Sequence, residues 1–373
     1  MQEFFIIEAK DNLTAARAGK IRLPHGEVLT PFYMPVATKA AVKTLSPHEL
    51  IEIGYEIILS NTYHLVEKPG LDELEKFGGL HRYMSWNRPI LTDSGGYQVF
   101  SLHKLVKINE EGVIFRSLID GRLIKATPEA VLDWQTVIGS DIAMVLDVCT
   151  PFDIDKSKAE EALKLTENWA RRSIVFWRSK DTQGRKIFGI VQGNFYADLR
   201  KRAAQYLAEL DFDGYAVGGL SVGEPKEIMF EMSAIVVSDL PEAKPRYFMG
   251  LGDPPSIVRA VAQGYDMFDS ALATRIARGG SFYTYYGSKN IRNKVYKGKE
   301  ESLDVNCGCY TCTNFAVGYI RHLYLSEETL ALRLLTYHNL YFMKKLMERI
   351  RQAIVSGRFS EFAGEFLNFY GED

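Results

Sequence analysis

The sequence predicts a (β/α)8 TIM barrel, in which eight parallel strands alternate with helices. Eight short apolar runs recur, each ending in a small, polar or charged residue. Amphipathic segments with apolar residues three and four positions apart separate most of these runs. Strands that are apolar on both faces and alternate with helices indicate a parallel sheet. An open doubly wound sheet is the alternative, but no GxGxxG turn follows the first strand.

The predicted strands lie in residues 32–38, 56–64, 89–96, 141–148, 186–193, 214–221, 246–252 and 265–271. In a barrel of this kind the chemistry lies at the carboxyl ends of the strands. The residues at those ends are unusually polar for buried strands: Asn61, Asp93, Asp147, Gln192, Gly219, Gly250 and Asp269. We therefore expect the functional site to be assembled from them.

Two segments interrupt the alternation. The long gap after the third strand alternates apolar and polar residues around an Asp-Gly turn, which predicts a β-hairpin inserted in the barrel at about residues 103–128. The barrel otherwise occupies residues 1–280, and residues 281–340 form a predicted metal-binding subdomain. Residues 341–373 predict a C-terminal helix that returns to the barrel.

Composition narrows the class of protein. The chain has 373 residues, of which 46% are hydrophobic and 25% charged, which excludes a disordered chain or a fibre. A net charge of -2 does not by itself suggest a nucleic-acid binder. Only four cysteines are present, too few for a disulfide framework. The sequence start lacks a signal-peptide pattern and no run is long enough for a membrane helix, so we expect a soluble cytoplasmic protein with no membrane partner.

Three of the cysteines indicate a metal site. Cys307, Cys309 and Cys312 form CxCxxC, and three thiolates so close together suit a tetrahedral structural zinc with a fourth ligand from elsewhere. His338 and His322 are both candidates for that ligand, and sequence geometry favours neither strongly. Idle cysteines are the alternative, but clustered thiols without a metal are prone to oxidation.

The polar strand ends suggest a purine site with acid–base chemistry. Asp93 lies in TDSGG, where glycines allow close backbone approach, although an ordinary helix cap is equally compatible. Asp269 lies in MFDSA, where the alternative is a salt bridge to a following arginine. Asp147 and Gln192 can pair with the edge of a purine. The other two carboxylates would then be available for cleavage of a glycosidic bond.

A basic segment lies between the last strand and the cysteines. Residues 274–299 contain seven basic side chains and no acidic ones, with aromatic residues interleaved. Cations and aromatic rings together bind phosphates and stack on unpaired bases. A solvated loop with accidental charge is the alternative. The position between Asp269 and the cysteines favours RNA binding.

These motifs together resemble one family. TDSGGYQ, LDVCTP, GIVQG, YAVGGLSVGE, MGLG, MFDSALATRIAR, NIRN and CGCYTC followed by YHN occur in the order found in bacterial tRNA-guanine transglycosylases. The resemblance implies a barrel with a zinc-binding subdomain. It also implies exchange of guanine at the wobble position of tRNAs with a GUN anticodon, those for Asp, Asn, His and Tyr. Bacterial members insert 7-aminomethyl-7-deazaguanine (preQ1), in queuosine biosynthesis.

The resemblance also assigns roles. Asp269 matches the nucleophile, which forms a covalent RNA–enzyme intermediate, and Asp93 matches the general acid/base. The positions that match the base-binding set are Ser94, Gly95, Gly96, Tyr97, Asp147, Gln192, Gly219, Leu220 and Met249, with Tyr97 and Met249 on the two faces of the base. The positions that match the RNA-binding loops are Gly250, Leu251, Gly252, Asp253, Pro254, Pro255, Ser256, Thr274, Arg275, Ile276, Ala277 and Arg278. The positions that match the ligands of one structural Zn²⁺ per subunit are Cys307, Cys309, Cys312 and His338.

Single positions bear on the choice of substrate, and others differ from the usual family pattern. Val222 replaces a glycine of the eukaryotic branch, which takes the bulkier queuine, and Cys149 also matches the bacterial pattern, so the resemblance implies preQ1. Val148, Ser270 and Ala273 stand where bacterial members usually have Glu, Cys and Pro. These three changes affect the shape of the pocket and the wobble loop and leave the carboxylates in place.

The expected partners are the tRNA anticodon loop, preQ1 or guanine, and a second copy of the chain in a homodimer. Two other functions were weighed. A barrel metallohydrolase needs histidines at the strand ends, and only His64 lies near one. A non-catalytic tRNA-binding subunit would lack the aspartate pair, and this chain has both Asp93 and Asp269.

Overall fold

The structure is a computed structural model that describes residues 3–98 and 106–370. Its strands are β1 (Phe5–Lys10), β2 (Arg17–Leu23), β3 (Gly26–Thr30), β4 (Phe32–Met34), β5 (Ile58–Asn61), β6 (Ile90–Asp93), β7 (Lys107–Asn109), β8 (Gly112–Arg116), β9 (Leu123–Ala126), β10 (Ile142–Met144), β11 (Lys186–Val191), β12 (Gly214–Val217), β13 (Arg246–Phe248), β14 (Met267–Asp269), β15 (Ser281–Thr284) and β16 (Gly287–Asn290).

The described helices alternate with the barrel strands and continue beyond the last of them. They are α1 (Pro47–Ile53), α2 (Thr62–Glu67), α3 (Leu71–Phe77), α4 (Leu80–Met84), α5 (Pro128–Ile138), α6 (Lys156–Arg178), α7 (Ala197–Glu209), α8 (Lys226–Asp239), α9 (Pro254–Ala262), α10 (Leu272–Arg278), α11 (Tyr310–Asn314), α12 (Val317–Leu325), α13 (Thr329–Val355) and α14 (Phe359–Tyr370). Across residues 3–98 and 106–370, no helix combines the length and the apolarity that a membrane span requires.

Each of the eight runs predicted as strands contains one strand of a single parallel sheet. The strand order is β4-β14-β13-β12-β11-β10-β6-β5. A parallel bridge between Val36 and Leu59 joins the two ends of this order, so the sheet closes into a barrel. Side chains of these strands, such as Phe188, Tyr247 and Phe268, are fully buried. The predicted (β/α)8 class is therefore confirmed.

A three-stranded antiparallel sheet, β1-β2-β3, lies across the amino-terminal end of the barrel, and the sequence did not predict it. Arg17 on β2 forms an ion pair with Asp266, just before β14, with a nitrogen–oxygen distance of 2.6 Å and side chains 2% and 0% exposed. The turn between β2 and β3 reaches Asp141, just before β10, through the backbone N–H of His25. The sheet therefore covers the end opposite the carboxyl ends of the strands.

The predicted hairpin insertion contains a third strand. β7, β8 and β9 form an antiparallel sheet in that order, and the Asp-Gly turn joins β8 to β9. The start expected at about residue 103 lies outside the described residues. Phe115 and Ile124 of this sheet pack with Tyr63 and Trp169 in a small core of their own. The insertion thus stacks on the barrel beside α2 and α6.

The C-terminal part is built around α13. This helix packs on the helices α10, α11, α12 and α14 and on the strands β4 and β15. It runs without interruption across the boundary expected between residues 340 and 341, and a division there would cut a continuous helix. Through α13, the segment with the cysteines is packed directly against the barrel.

Candidate active site

A cavity of about 410 Å³ opens at the carboxyl ends of the barrel strands. All seven residues that the sequence places at the strand ends line it: Asn61, Asp93, Asp147, Gln192, Gly219, Gly250 and Asp269. The parallel direction of the strands brings these residues together, although they are far apart in the chain. The cavity is large enough for a purine-sized ligand.

Asp93 ends β6 and is buried in the cavity wall. Its Oδ2 accepts hydrogen bonds from Asn61 Nδ2 and from Gln98 Nε2 at 2.9 Å, and its Oδ1 accepts one from the Thr62 backbone N–H at 3.0 Å. Burial raises the pKa of Asp93 to about 6, the charge of Asp269 adds to the rise, and the hydrogen bonds oppose it. A carboxyl with this pKa can both give and take a proton near neutral pH.

Asp269 ends β14 on another side of the cavity. Tyr247 Oη donates to its Oδ1 at 2.5 Å, and the Gly250 backbone N–H donates to the same oxygen at 2.7 Å. Burial raises the pKa of this carboxyl, and these two donors favour its ionised form. Since both bonds go to Oδ1, the lone pairs of Oδ2 remain for attack on an electrophile.

Asp147 and Gln192 form a hydrogen-bonded pair at the ends of the neighbouring strands β10 and β11. Gln192 Nε2 donates to Asp147 Oδ2 at 2.7 Å, and Ser94 Oγ donates to Oδ1 at 3.1 Å. Burial raises the pKa of Asp147, and both donors lower it. Gln192 Oε1 is buried and has no hydrogen-bond partner among the described residues, so it can accept an N–H of a ligand.

Gly96 and Gly219 let the backbone approach this pair. A Cβ on Gly96 would lie 2.8 Å from the Asp147 carbonyl oxygen and 2.9 Å from its Oδ1. Gly219 has φ +65°, and a Cβ there would lie 2.4 Å from Gln192 Oε1. A side chain at either position would displace the Asp147–Gln192 pair or strain the backbone.

A cluster of possible metal ligands lies in the segment that follows the barrel in the chain. Four ligand atoms lie within 4.8 Å of one another: the thiols and imidazole of Cys307, Cys309, Cys312 and His338. The three sulfurs are 3.7, 3.6 and 3.3 Å from Nδ1 of His338, and His338 Nε2 donates to the Tyr283 carbonyl at 2.7 Å. That bond fixes the tautomer in which Nδ1 is a metal ligand. His322, the other candidate, is exposed on α12 and outside the cluster.

Comparison with known proteins identifies the family. A profile of the family described as queuine tRNA-ribosyltransferase matches residues 11–372. The chain is 51% identical over 369 residues to the queuine tRNA-ribosyltransferase of Dictyoglomus turgidum, covering 99% of this chain and 95% of that protein. It is 51% identical over 362 residues to the one of Thermoanaerobacter sp. strain X514, covering 97% and 96%.

The chain belongs to the queuine tRNA-ribosyltransferase family. The predicted family is thereby confirmed, and so is the enzyme class, a pentosyltransferase of tRNA modification. Similarity to the enzyme of Thermosipho africanus, 51% identical over 355 residues, covers 95% of this chain and 96% of that protein. The match therefore extends over the barrel and the metal cluster alike.

In this family member the two residues expected on the faces of the base both line the cavity. Tyr97 is 52% exposed at the rim, and Met249 is half-buried after β13. Val222 and Cys149 also line the cavity, and burial raises the pKa of the Cys149 thiol to about 12, so this cysteine is an unreactive wall.

The two segments predicted to bind RNA border the cavity with a mixture of exposed and buried residues. Gly250 and Arg275 are exposed and line the opening. In contrast, some members of these segments are buried and support the loops from inside: Leu251, Gly252, Pro254, Ser256, Thr274 and Ala277. Among the residues that depart from the family pattern, Ser270 Oγ accepts from the Leu272 N–H at 3.1 Å and Ala273 is fully buried.

In the basic segment, residues 274–299, the cations are mostly exposed as expected, but some of the aromatic residues are not. Six of its seven cations are exposed, and Arg278 is half-buried; the exposed ones are Arg275, Lys289, Arg292, Lys294, Lys297 and Lys299. The interleaved aromatic residues differ from the expectation, because Phe282 and Tyr283 are buried in the protein core. Tyr286 is exposed and is available for stacking.

Sequence analysis missed the residues that hold the site in shape. Arg200 on α7 is fully buried and donates to the carbonyls of Val191 at 2.9 Å and Gly218 at 2.7 Å, which fixes the ends of β11 and β12. Its place on the apolar stripe of α7 was the available signal. Glu224 accepts the backbone N–H groups of Ser221 and Val222 and so fixes the loop after Gly219.

Proposed function

We propose that the chain is a tRNA-guanine transglycosylase that exchanges guanine at the wobble position of GUN-anticodon tRNAs for preQ1. The observation that supports this most directly is the arrangement of two buried carboxylates, Asp93 and Asp269, around one purine-sized cavity. Their surroundings differ, as two carboxylates with separate roles require.

In the first step, Asp269 Oδ2 attacks C1′ of the wobble nucleotide. The bond between C1′ and N9 breaks, and a covalent ester joins the RNA to the enzyme. Asp93, with a pKa near 6, gives its proton to the departing guanine. Tyr247 and the Gly250 N–H stabilise the ionised nucleophile before attack.

In the second step, preQ1 takes the place of guanine. Asp93 accepts the proton from N9 of the incoming base, and N9 attacks C1′ and displaces the Asp269 carboxylate. Proton and leaving group balance over the cycle, because the proton given to guanine is recovered from preQ1. This double displacement predicts ping-pong kinetics.

The base is recognised by Asp147, Gln192 and the backbone at Gly219 and Leu220. The unpartnered Gln192 Oε1 supports this assignment, because a ligand N–H would satisfy it. Tyr97 and Met249, which both line the cavity, would cover the two faces of the base. The wobble nucleotide must leave the stack of the anticodon loop to reach this depth.

The proposed specificity for preQ1 over queuine is supported by Val222, which lines the cavity and would reduce the room for a larger substituent on the base. Substitution Val222→Gly should raise the rate of queuine incorporation relative to that of preQ1. Equal rates of the two bases in the unchanged protein would contradict the proposal.

The covalent intermediate provides the decisive experiment. Denaturing gels of the enzyme incubated with tRNA should show an RNA–protein adduct, which Asp269→Asn abolishes. Exchange of labelled guanine into tRNA should be lost in both Asp269→Asn and Asp93→Asn. An adduct of normal yield in Asp269→Asn would move the nucleophile to Asp93.

We further propose that the ion at the cysteine–histidine cluster is Zn²⁺, one per subunit, with a structural role. Three thiolates and one imidazole form a closed tetrahedral set with no position for substrate. Elemental analysis should give one zinc per chain, and no zinc would remove the assignment. Cys149→Ser is the matched control, because Cys149 lies outside the cluster.

We propose a homodimer that binds the tRNA anticodon loop in the cytoplasm. Exposed aromatic side chains on the cysteine-bearing segment, Tyr310 and Tyr319, support a protein interface there. Tyr319 stacks on Phe315, with ring planes 18° apart, and so is held in place. Light scattering should give twice the chain mass, and Tyr319→Glu should reduce it to one chain.

A further inference from the structure

A second group of metal-binding side chains lies at the end of the barrel opposite the cavity. It consists of His25 on the turn between β2 and β3, His81 on α4 and Asp141 just before β10. One ligand atom from each residue lies within 4.8 Å of the others. None of the three lines the cavity or takes part in the proposed transfer.

His81 supplies the observation that points to a ligand. Its side chain is only 10% exposed, and its Nε2 lies 3.2 Å from Asp141 Oδ2. A hydrogen bond from His81 helps to lower the pKa of Asp141, so the two side chains share a proton when no cation is bound. A buried imidazole nitrogen that faces a carboxylate in this way can coordinate a cation in exchange for that proton.

Asp141 is fixed in the orientation that a metal ligand needs. Its side chain is fully buried. Its Oδ1 accepts the backbone N–H of His25 at 3.1 Å, and its Oδ2 accepts the backbone N–H of Ile90 at 2.9 Å. Two backbone donors hold the carboxylate in place and favour its ionised form. Its remaining lone pairs face the imidazole nitrogens of His25 and His81, whose protons an ion would displace.

His25 is the ligand that can move. Its Nδ1 lies 2.8 Å from Asp141 Oδ1, and its ring stacks on His81 with centroids 3.7 Å apart and planes 17° apart. Two parallel stacked rings cannot both aim in-plane lone pairs at one ion, so binding requires one ring to turn. The side chain of His25 is 42% exposed on a short turn, which gives it that freedom.

We propose that His25, His81 and Asp141 bind a divalent ion of the late first-row transition metals, such as Ni²⁺, Co²⁺ or Zn²⁺. Two imidazoles and one carboxylate favour these ions over Mg²⁺ and Ca²⁺, which prefer oxygen ligands alone. Water completes the coordination. Because the three ligands come from the N-terminal sheet, from α4 and from the start of β10, the ion ties the sheet to the barrel.

Calorimetric titration of Ni²⁺ tests the proposal, with full-length protein whose cysteine cluster already holds one equivalent of zinc. One further equivalent should bind, and thermal unfolding should shift to higher temperature in its presence. His81→Ala and His25→Ala should each weaken the added binding by at least about tenfold. His48→Ala is the matched control, since His48 is exposed on α1, and should leave the affinity unchanged.

A second metal separates this site from the cysteines. Co²⁺ bound by two imidazoles and a carboxylate lacks the thiolate charge-transfer band that Co²⁺ at cysteines shows. A spectrum of the added equivalent without that band supports the site, and a thiolate band overturns it. Equal Ni²⁺ affinity of the unchanged protein and His25→Ala also overturns it. His25 decides this point because its exposed side chain can be removed without opening the core.

Discussion

At the scale of single residues, the pKa of the proposed acid/base Asp93 reflects two opposing effects, burial and hydrogen bonding, and a substitution can change the second. Burial raises the pKa to about 6, and the hydrogen bond from Asn61 opposes the rise. Asn61→Ala removes a donor to the ionised form, so the pKa should increase. A hydrogen bond to a charged group contributes about 1.5 kcal/mol, which corresponds to about one pKa unit.

The pH dependence of adduct formation measures this shift. Guanine leaves with the proton of Asp93, so the rate should fall as pH rises through the pKa of that carboxyl. In Asn61→Ala the fall should occur about one pH unit higher. Asn168→Ala, on the outer helix α6, should leave the profile in place. A fall at unchanged or lower pH would show that Asn61 does not control this proton.

A glycine at position 219 is required by the geometry of the base site. Gly219→Ala combines a positive φ with a Cβ 2.4 Å from Gln192 Oε1, so the amide must move or the loop must strain. A cost of about 1.4 kcal/mol or more lowers kcat/KM for the base at least about tenfold. Gly364→Ala on α14 is the control, because its Cβ meets nothing within 4 Å.

Steady-state exchange of labelled guanine compares the two glycine variants. The loss in Gly219→Ala should appear with the base as the varied substrate, while the affinity for tRNA remains near that of the unchanged protein. Gly364→Ala should keep both kcat/KM for the base and the affinity for tRNA. Equal kcat/KM for the two variants would mean that the Gln192 amide tolerates displacement.

At the scale of elements, Asn339 couples the metal-bearing helix to the wobble loop. On α13, one residue after the ligand His338, its Nδ2 donates to the Ala273 carbonyl at 3.0 Å and the Ser281 carbonyl at 3.1 Å. Its Oδ1 accepts the Tyr283 N–H at 3.0 Å. The helix that holds the metal therefore also fixes the segment proposed to contact the wobble nucleotide.

Asn339→Ala should consequently weaken tRNA binding more than base binding. Loss of three buried hydrogen bonds loosens α10 and β15, and we expect the Kd for tRNA to increase about tenfold, while the Kd for guanine changes little. Asn314→Ala is the matched control, since that amide bonds within its own exposed helix α11. Filter binding and calorimetry measure the two constants. Equal losses for both ligands would contradict the coupling.

The elements differ in how far the sequence predicts them. Each barrel strand was predictable because burial on both faces leaves a continuous apolar run, as in the fully buried Ile58–Asn61. The N-terminal sheet was missed because β2 mixes Arg17 and Lys20 with small residues, and its polar side chains find partners far along the chain. Such pairings have no local signature.

The residues that line the cavity were easier to predict from the sequence than the residues that hold them in position. Asp93, Asp147 and Gln192 stand at strand ends, and the barrel alone brings strand ends together. Spacing in the sequence left His338 and His322 open, the family resemblance implied His338, and the path of α13 brings His338 to the cysteines. Hydrogen bonds that tune each group depend on side-chain directions and therefore emerge only in three dimensions.

At the scale of the whole molecule, the net charge of -2 hides an uneven distribution. Residues 274–299 carry seven of the 45 basic residues and none of the 47 acidic ones, so that one surface is strongly positive on a nearly neutral protein. This surface adjoins the cavity through Arg275. A local positive field attracts the phosphates of an anticodon loop, and the remainder of the chain, with 38 basic and 47 acidic residues, is net negative and limits binding of RNA elsewhere.

The salt dependence of tRNA binding separates this surface from the rest of the molecule. Each phosphate neutralised by a lysine on single-stranded RNA contributes about -0.7 to the slope of log K against log salt. Lys294→Ala and Lys297→Ala should each weaken binding of all four tRNAs to a similar extent and make the slope shallower by about that amount, because they contact backbone and not bases. Lys201→Ala, exposed on α7 away from the cavity, should leave the slope unchanged. An unchanged slope in the double variant of Lys294 and Lys297 would place the RNA on another face, and the local charge would then have no role in substrate binding.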